Sequence, residues 1–139
     1  MSKLTNDIAR TYELGDTSEY PILGGEIIYE GGAVGIETNG YARSLQAGDK
    51  FAGFADEHVD NTHGGDGKKT IRTKYKGTIV LPIPSGVTLP DVGSNLFASD
   101  DNTFTTTSSS TPYIGKIRRI SNGEIIVEFE AFATVVPSA

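Results

Sequence analysis

The chain has 139 residues, a net charge of −6 and no cysteine. That length suits one domain with a real core, and the missing thiols exclude disulfides and thiolate metal sites. Leu, Ile, Val and Phe supply 34 residues, which excludes a disordered chain, and 17 glycines against 6 prolines point to many tight turns between short strands.

Residues 1–24 differ from the rest. Leu4, Ile8 and Tyr12 share a helical spacing, but Thr5, Asn6, Asp7 and Thr11 are poor helix formers, and Gly15, Pro21, Gly24 and Gly25 break any continuation. The stretch reads as an extended N-terminal arm. Its apolar residues Leu4, Ile8, Tyr12, Leu14, Tyr20 and Ile22 have no place in a strand pattern and are expected to dock on another chain.

From Glu26 onward strand and turn alternate. Strands are predicted over Ile27–Tyr29, Ala33–Thr38, Tyr41–Leu45 and Lys50–Ala55, with a two-residue turn at Asn39-Gly40 pairing Ile36 with Arg43 and Val34 with Leu45. Lys69–Tyr75 and Thr78–Leu81 follow. Pro82, Pro84 and Pro90 then predict a surface connection over 82–93 with no ladder of its own. Asn95–Ala98 and Thr103–Thr106 flank a turn at Ser99-Asp100-Asp101-Asn102, and the Ser/Thr run Thr103–Thr111 suits an edge strand dissolving into a loop. A final hairpin turns at Asn122-Gly123. Ile125, Val127 and Phe129 alternate along its second strand, whereas Ile114, Ile117 and Ile120 recur every third residue along its first. An extra residue near Arg118 or Arg119, a β-bulge, is needed to return Ile117 to the core.

The expected fold is therefore all-β, a small barrel or sandwich of short antiparallel strands over 25–133, preceded by the arm and followed by a tail at 134–139. Its predicted interior is Val34, Ile36, Phe51, Phe54, Ile71, Val127 and Phe129.

Charge is uneven: residues 1–66 carry 4 basic and 12 acidic groups, residues 67–139 carry 8 and 6. Lys68, Lys69, Arg72, Lys74 and Lys76 crowd one stretch. Arg72, Lys74 and Lys76 alternate with Ile71, Thr73 and Tyr75, so they read as the polar face of a strand. A contact with an acidic surface of a neighbouring subunit or partner comes second. A phosphate track comes third, because no aromatic ladder accompanies the lysines.

Asp56, Glu57, His58, Asp60, His63 and Asp66 form the one cluster dense enough to suggest a metal. The spacing departs from a calcium loop, since His58 interrupts and no glutamate follows at the required distance. Zinc would need rigid ligands, and Gly64, Gly65 and Gly67 predict a mobile, solvated loop instead. Gly-Gly-Asp-Gly-Lys-Lys-Thr has lysine where a phosphate loop needs Ser or Thr, and no Gly-x-Ser-x-Gly elbow occurs. No cofactor and no catalytic residue is expected. The first residues lack the apolar run of a secretory signal and no stretch nears the ~20 apolar residues of a membrane-spanning helix, so synthesis in the cytoplasm without a membrane partner is expected.

The order of turns and strands from Gly31 to Phe54, with Gly-Tyr-Ala-Arg at 40–43, Ala-Gly-Asp at 47–49 and Phe-Ala-Gly-Phe at 51–54, carries a family likeness. It continues through Val59-Asp60-Asn61, Gly64-Gly65-Asp66-Gly67, Tyr75-Lys76-Gly77, Asp91-Val92-Gly93 before Leu96-Phe97-Ala98, and Ile114-Gly115-Lys116. Over residues 26–132 the chain resembles the capsid cement, or head decoration, proteins of tailed bacteriophages. The resemblance implies a structural protein and not an enzyme, placed on the outer capsid surface of the virion. It also implies that the protein bridges copies of the major capsid protein, and that it associates with itself, commonly as a homotrimer and in some cases as a dimer. No nucleic-acid partner is implied. A carbohydrate- or receptor-binding virion module is the alternative. A trimeric nucleotide hydrolase of the dUTP type is a weaker one, since its Ala-Gly-Tyr/Phe-Asp motif has no counterpart here.

Overall fold

A computed structural model describes residues 3, 5–7, 9, 15–108 and 111–135. Twelve strands occur among these: β1 Thr17–Pro21, β2 Ile27–Ile28, β3 Ala33–Ile36, β4 Ala42–Ser44, β5 Lys50–Ala55, β6 Val59–Asp60, β7 Thr70–Lys74, β8 Lys76–Pro82, β9 Asn95–Asp100, β10 Thr103–Thr105, β11 Tyr113–Ser121 and β12 Glu124–Glu130. They form an antiparallel sandwich, not a closed barrel. One sheet has the order β1-β7-β5-β3-β4, the other β10-β9-β11-β12-β8, and β2 pairs with β6 as a small ribbon. The chain crosses between the sheets at Tyr75, where β7 ends and β8 begins, and no strand belongs to both.

The predicted interior divides in two. Phe51 and Phe54 from the first sheet meet Leu81, Leu96, Ile114, Ile117, Ile125, Val127 and Phe129 from the second. Phe54 stands edge-on to Phe129 at 4.9 Å, a preferred aromatic geometry. Val34 and Ile71 point the other way, into a second core with Ile22, Ile28, Ala42, Ala52 and Ala55, against which Ile36 is partly buried. The first sheet is thus apolar on both faces, which strict alternation does not anticipate.

The arm proves shorter than its sequence suggests. Thr17–Pro21 pairs residue by residue with β7, from Thr17 opposite Lys74 to Pro21 opposite Thr70. Ile22 is fully buried in the second core. Ser18, Tyr20 and Ile22 recur every second residue, and that short alternation was the available signal for a strand.

The first hairpin differs from its expected register by one residue. Val34 lies opposite Ser44 and Ile36 opposite Ala42, because the loop holds three residues. The Gly40 N–H donates to the Glu37 carbonyl at 2.9 Å, the Glu37 N–H donates to the Tyr41 carbonyl at 3.0 Å, and Gly40 takes φ 94°. That is a type I turn closed by a left-handed glycine. The Glu37 carboxylate accepts the Asn39 and Tyr41 N–H groups, both at 3.0 Å, and so favours this turn over the two-residue one. The slip puts Ala42 in the core position and moves Arg43 to the opposite face.

The last hairpin follows expectation. Asn122 and Gly123 have φ 51° and 77°, as a two-residue type I′ turn requires. Ile120 lies opposite Ile125, Arg119 opposite Ile126 and Ile117 opposite Val127, with the register shifting between Ile117 and Arg119. Arg118 is the extra residue, and Ile117 returns to the core.

Candidate interaction surface

The polar cluster at 56–66 is committed to the fold. Asp56 pairs with Arg72 at 3.1 Å, and Glu57 accepts the Arg72 backbone N–H at 2.9 Å. His58 packs on the Tyr29 ring at 5.1 Å, and Asp66 accepts the Gly24 N–H at 2.8 Å. Asp60 accepts the Thr62 hydroxyl and N–H, which together hold its pKa below the usual carboxylate value. Among the described residues no group of His, Asp and Glu is arranged to hold a metal ion.

The glycine loop at 64–67 is exposed over Gly65, Asp66 and Gly67, as expected of a solvated loop, but it is anchored from below. Its centre is Asn61, 1% exposed, whose amide N–H2 group donates to the carbonyls of Ile22, Leu23 and Gly65 at 3.4, 3.2 and 3.2 Å. The loop therefore locks the end of the arm against the second core. Gly64 is required because any Cβ there would overlap Asn61 Oδ1.

Arg43 and Asp49 close the Ala47-Gly48 turn. The guanidinium donates to both carboxylate oxygens, at 2.8 and 3.0 Å, and this hydrogen bonding raises the Arg43 pKa. Asp49 is nearly buried, so a fork-shaped donor is the partner that best satisfies it.

Two of the basic residues, Arg72 and Lys74, meet carboxylates within the chain. Arg72 is held by Asp56, whose hydrogen bond raises the guanidinium pKa. Lys74 reaches Asp16 at 3.7 Å, Lys69 donates to the Asp60 carbonyl at 2.7 Å, and Lys76 lies over the Tyr75 ring at 5.7 Å. Replacing Arg72, Lys74 and Lys76 together with Ser is expected to lower stability only slightly, since such exposed pairs contribute little each. Urea unfolding of the triple variant measures this, and a larger loss would give these contacts a structural weight their exposure does not suggest.

Of the six proposed contact residues on the arm, Leu4, Ile8, Tyr12 and Leu14 lie outside the described residues. Ile22 is a core residue with no surface to offer another chain. Tyr20 does reach the surface, edge-on to Phe132 at 6.2 Å. Phe132 was not singled out by the sequence. It is 51% exposed and adopts φ 60°, a left-handed conformation uncommon for a bulky residue. Two backbone bonds hold it there, Ala131 N–H to the Tyr75 carbonyl at 2.6 Å and Phe132 N–H to the Phe51 carbonyl at 2.9 Å.

Beside Phe132 lies an open groove of about 660 Å³ lined by Tyr20, Ile36, Phe51, Pro112, Tyr113 and Phe132, with Asp49 and Lys50 also at its wall. A smaller groove joins Gly15, Tyr20, Tyr75 and Phe132, and the Tyr75 hydroxyl donates to the Gly15 carbonyl at 3.0 Å. Gly15, where the continuously described stretch begins, and Phe132 therefore lie on the same face. Comparison with protein-family models, with curated proteins and with solved structures finds no match.

Proposed function

We propose that this protein is a structural decoration protein of a phage head, attached to the outer capsid surface and bridging neighbouring capsid proteins. The observation that carries the reading is the aromatic groove around Phe132, with Gly15, where the continuously described stretch begins, in the adjoining groove. A half-exposed aromatic held in a strained backbone conformation supports a binding role, because a conformation of that kind persists only where the surrounding structure enforces it. The titratable cluster that would suggest chemistry is occupied by fold contacts. In this reading the groove and the arm engage the capsid protein. The sandwich adds contacts that must break before the lattice opens under internal DNA pressure.

The test is sedimentation of the purified protein with DNA-filled heads of the phage that carries its gene, prepared without decoration protein. Saturable binding at a fixed ratio to capsid protein is expected, with Phe132→Ser folding normally and binding at least about tenfold more weakly, as loss of an aromatic anchor produces. Wild-type protein that stays in the supernatant overturns the reading.

A further inference from the structure

Each five-stranded sheet has two edge strands, and three of these four are guarded. β10 has three residues and a register shift against β9. β4 has three residues, and the Ala42 carbonyl already accepts the Leu23 N–H at 2.9 Å. β1 carries Glu19 and ends in Pro21. Such short, irregular, charged or proline-bearing edges resist pairing.

β8 is different. Its charge, Lys76, and its proline, Pro82, stand at its two ends, whereas Glu19 sits at the centre of β1, and its seven residues run in unbroken register with β12. Bonds from Ala131 N–H to the Tyr75 carbonyl and from Ile83 N–H to the Gly123 carbonyl bracket the pairing. By the alternation of an antiparallel ladder, Gly77, Ile79 and Leu81 bond to β12 between these two, while Lys76, Thr78 and Val80 aim their N–H and C=O groups away from the sheet. The middle of this edge is apolar: Val80 is 54% exposed and Ile79 only partly buried.

We infer that β8 pairs antiparallel with β8 of a second copy across a two-fold axis at Ile79, joining the two outer sheets into one. The inference stands apart from the capsid reading. In this register Thr78 meets Val80 of the other copy, so both present outward-facing backbone groups to one another, and the two Ile79 side chains meet at the axis. Lys76 lies opposite Pro82 of the other copy. Pro82 is paired in its own sheet with Glu124, which puts that carboxylate on the same face, one strand beyond Pro82 and within reach of the Lys76 ammonium. Lys76 lies opposite Glu130 in its own sheet, so Glu124 of the second copy adds a second carboxylate on that face, and this added complementarity selects a second copy as the occupant and selects this register. Shifted by two residues, to pair Lys76 with Val80, the edge would leave Lys76 beside Ile126 instead. A two-fold contact of this kind closes on itself at two copies, so it gives a dimer, the less common of the two states the family resemblance implies.

Sedimentation equilibrium of the full chain over a range of concentrations, with thermal unfolding as the control for folding, tests this. The wild type is expected to be a dimer. Val80→Lys, which sets a charge beside the axis in each copy, is expected to be a monomer with the fold retained. Lys76→Glu should raise the dimer dissociation constant roughly tenfold or more, and Lys76→Glu with Glu124→Lys should restore it. The swap involves exposed positions, so it remains informative where Val80→Lys disturbs folding. A wild type that is monomeric or trimeric throughout overturns the inference, as does a dimer indifferent to Val80→Lys and Lys76→Glu. A swap that fails to restore the dimer overturns the Ile79-centred register.

Discussion

Asn61→Asp is expected to be among the most damaging single-atom changes in this protein. It turns a donor facing three carbonyls, those of Ile22, Leu23 and Gly65, into a carboxylate facing the same three oxygens at a buried site. Each carbonyl keeps a backbone donor, from Gly67, Glu26 and Lys68 respectively, but loses the amide, and an uncompensated charge is desolvated against three oxygens, so a loss of roughly 3–5 kcal/mol at neutral pH is expected. The sign of the pH dependence follows. Burial and the carbonyl dipoles raise the folded-state pKa of the new carboxyl above its unfolded value near ~3.9. The folded state then binds the extra proton, so the variant recovers part of its stability below that unfolded pKa and loses it as pH rises through the folded one. Urea unfolding at pH 4 and pH 7.5 measures both, against wild type at each pH. Gly64→Ala should also destabilise wild type, because a Cβ would overlap Asn61 Oδ1. It should cost much less in an Asn61→Ala background, and equal costs in the two backgrounds would mean that the two residues are not in contact.

Gly53→Ala has the second large expected effect. Gly53 sits in β5 with φ 106°, and a Cβ there would overlap the Lys74 carbonyl of β7. The neighbouring Phe54 is opposite Lys74 in the ladder and carries the edge-on contact with Phe129. A methyl group at 53 therefore separates two paired strands and moves the aromatic centre of the main core. About 2–4 kcal/mol is expected, from a disfavoured backbone conformation together with the steric overlap. Gly40→Ala is the internal comparison. Gly40 has φ 94° but nothing within 4 Å of an added Cβ, so only the backbone term of about 1 kcal/mol applies. Thermal unfolding of the two variants side by side checks the order, and equal losses would show that the close approach at Lys74 relaxes freely.

Most strands were legible because period-2 alternation and turn residues are local. The bulge at Arg118 could be read from a conflict between two local patterns, a regular turn at Asn122-Gly123 and isoleucines spaced by three. The register of the first hairpin could not. Asn39-Gly40 suits both a two-residue and a three-residue loop, and the choice falls to the Glu37 carboxylate, which folds back onto the Asn39 and Tyr41 N–H groups, a contact that turn-residue preferences do not contain. Of the candidate site, Tyr20 was legible as an apolar residue out of pattern. Phe132 was not, because its exposure depends on bonds to Phe51 and Tyr75, far away in sequence.

Local patterning alone makes the chain all-β, places most of its turns and marks the residues apolar enough to fill a core, since each depends on near neighbours. Tertiary structure alone decided that the apolar residues form two cores, that Thr17–Ile22 joins the fold, and that Asn61 holds it there. It also decided that the basic strand is answered by Asp16 and Asp56. These outcomes depend on which strand lies beside which, and that order is set by the packing of side chains distant in sequence. Burial then turns the same chemistry into different roles: a glycine-rich loop becomes a latch because Asn61 is inside it, and a seven-residue edge stays open because no other described segment of the chain pairs with it.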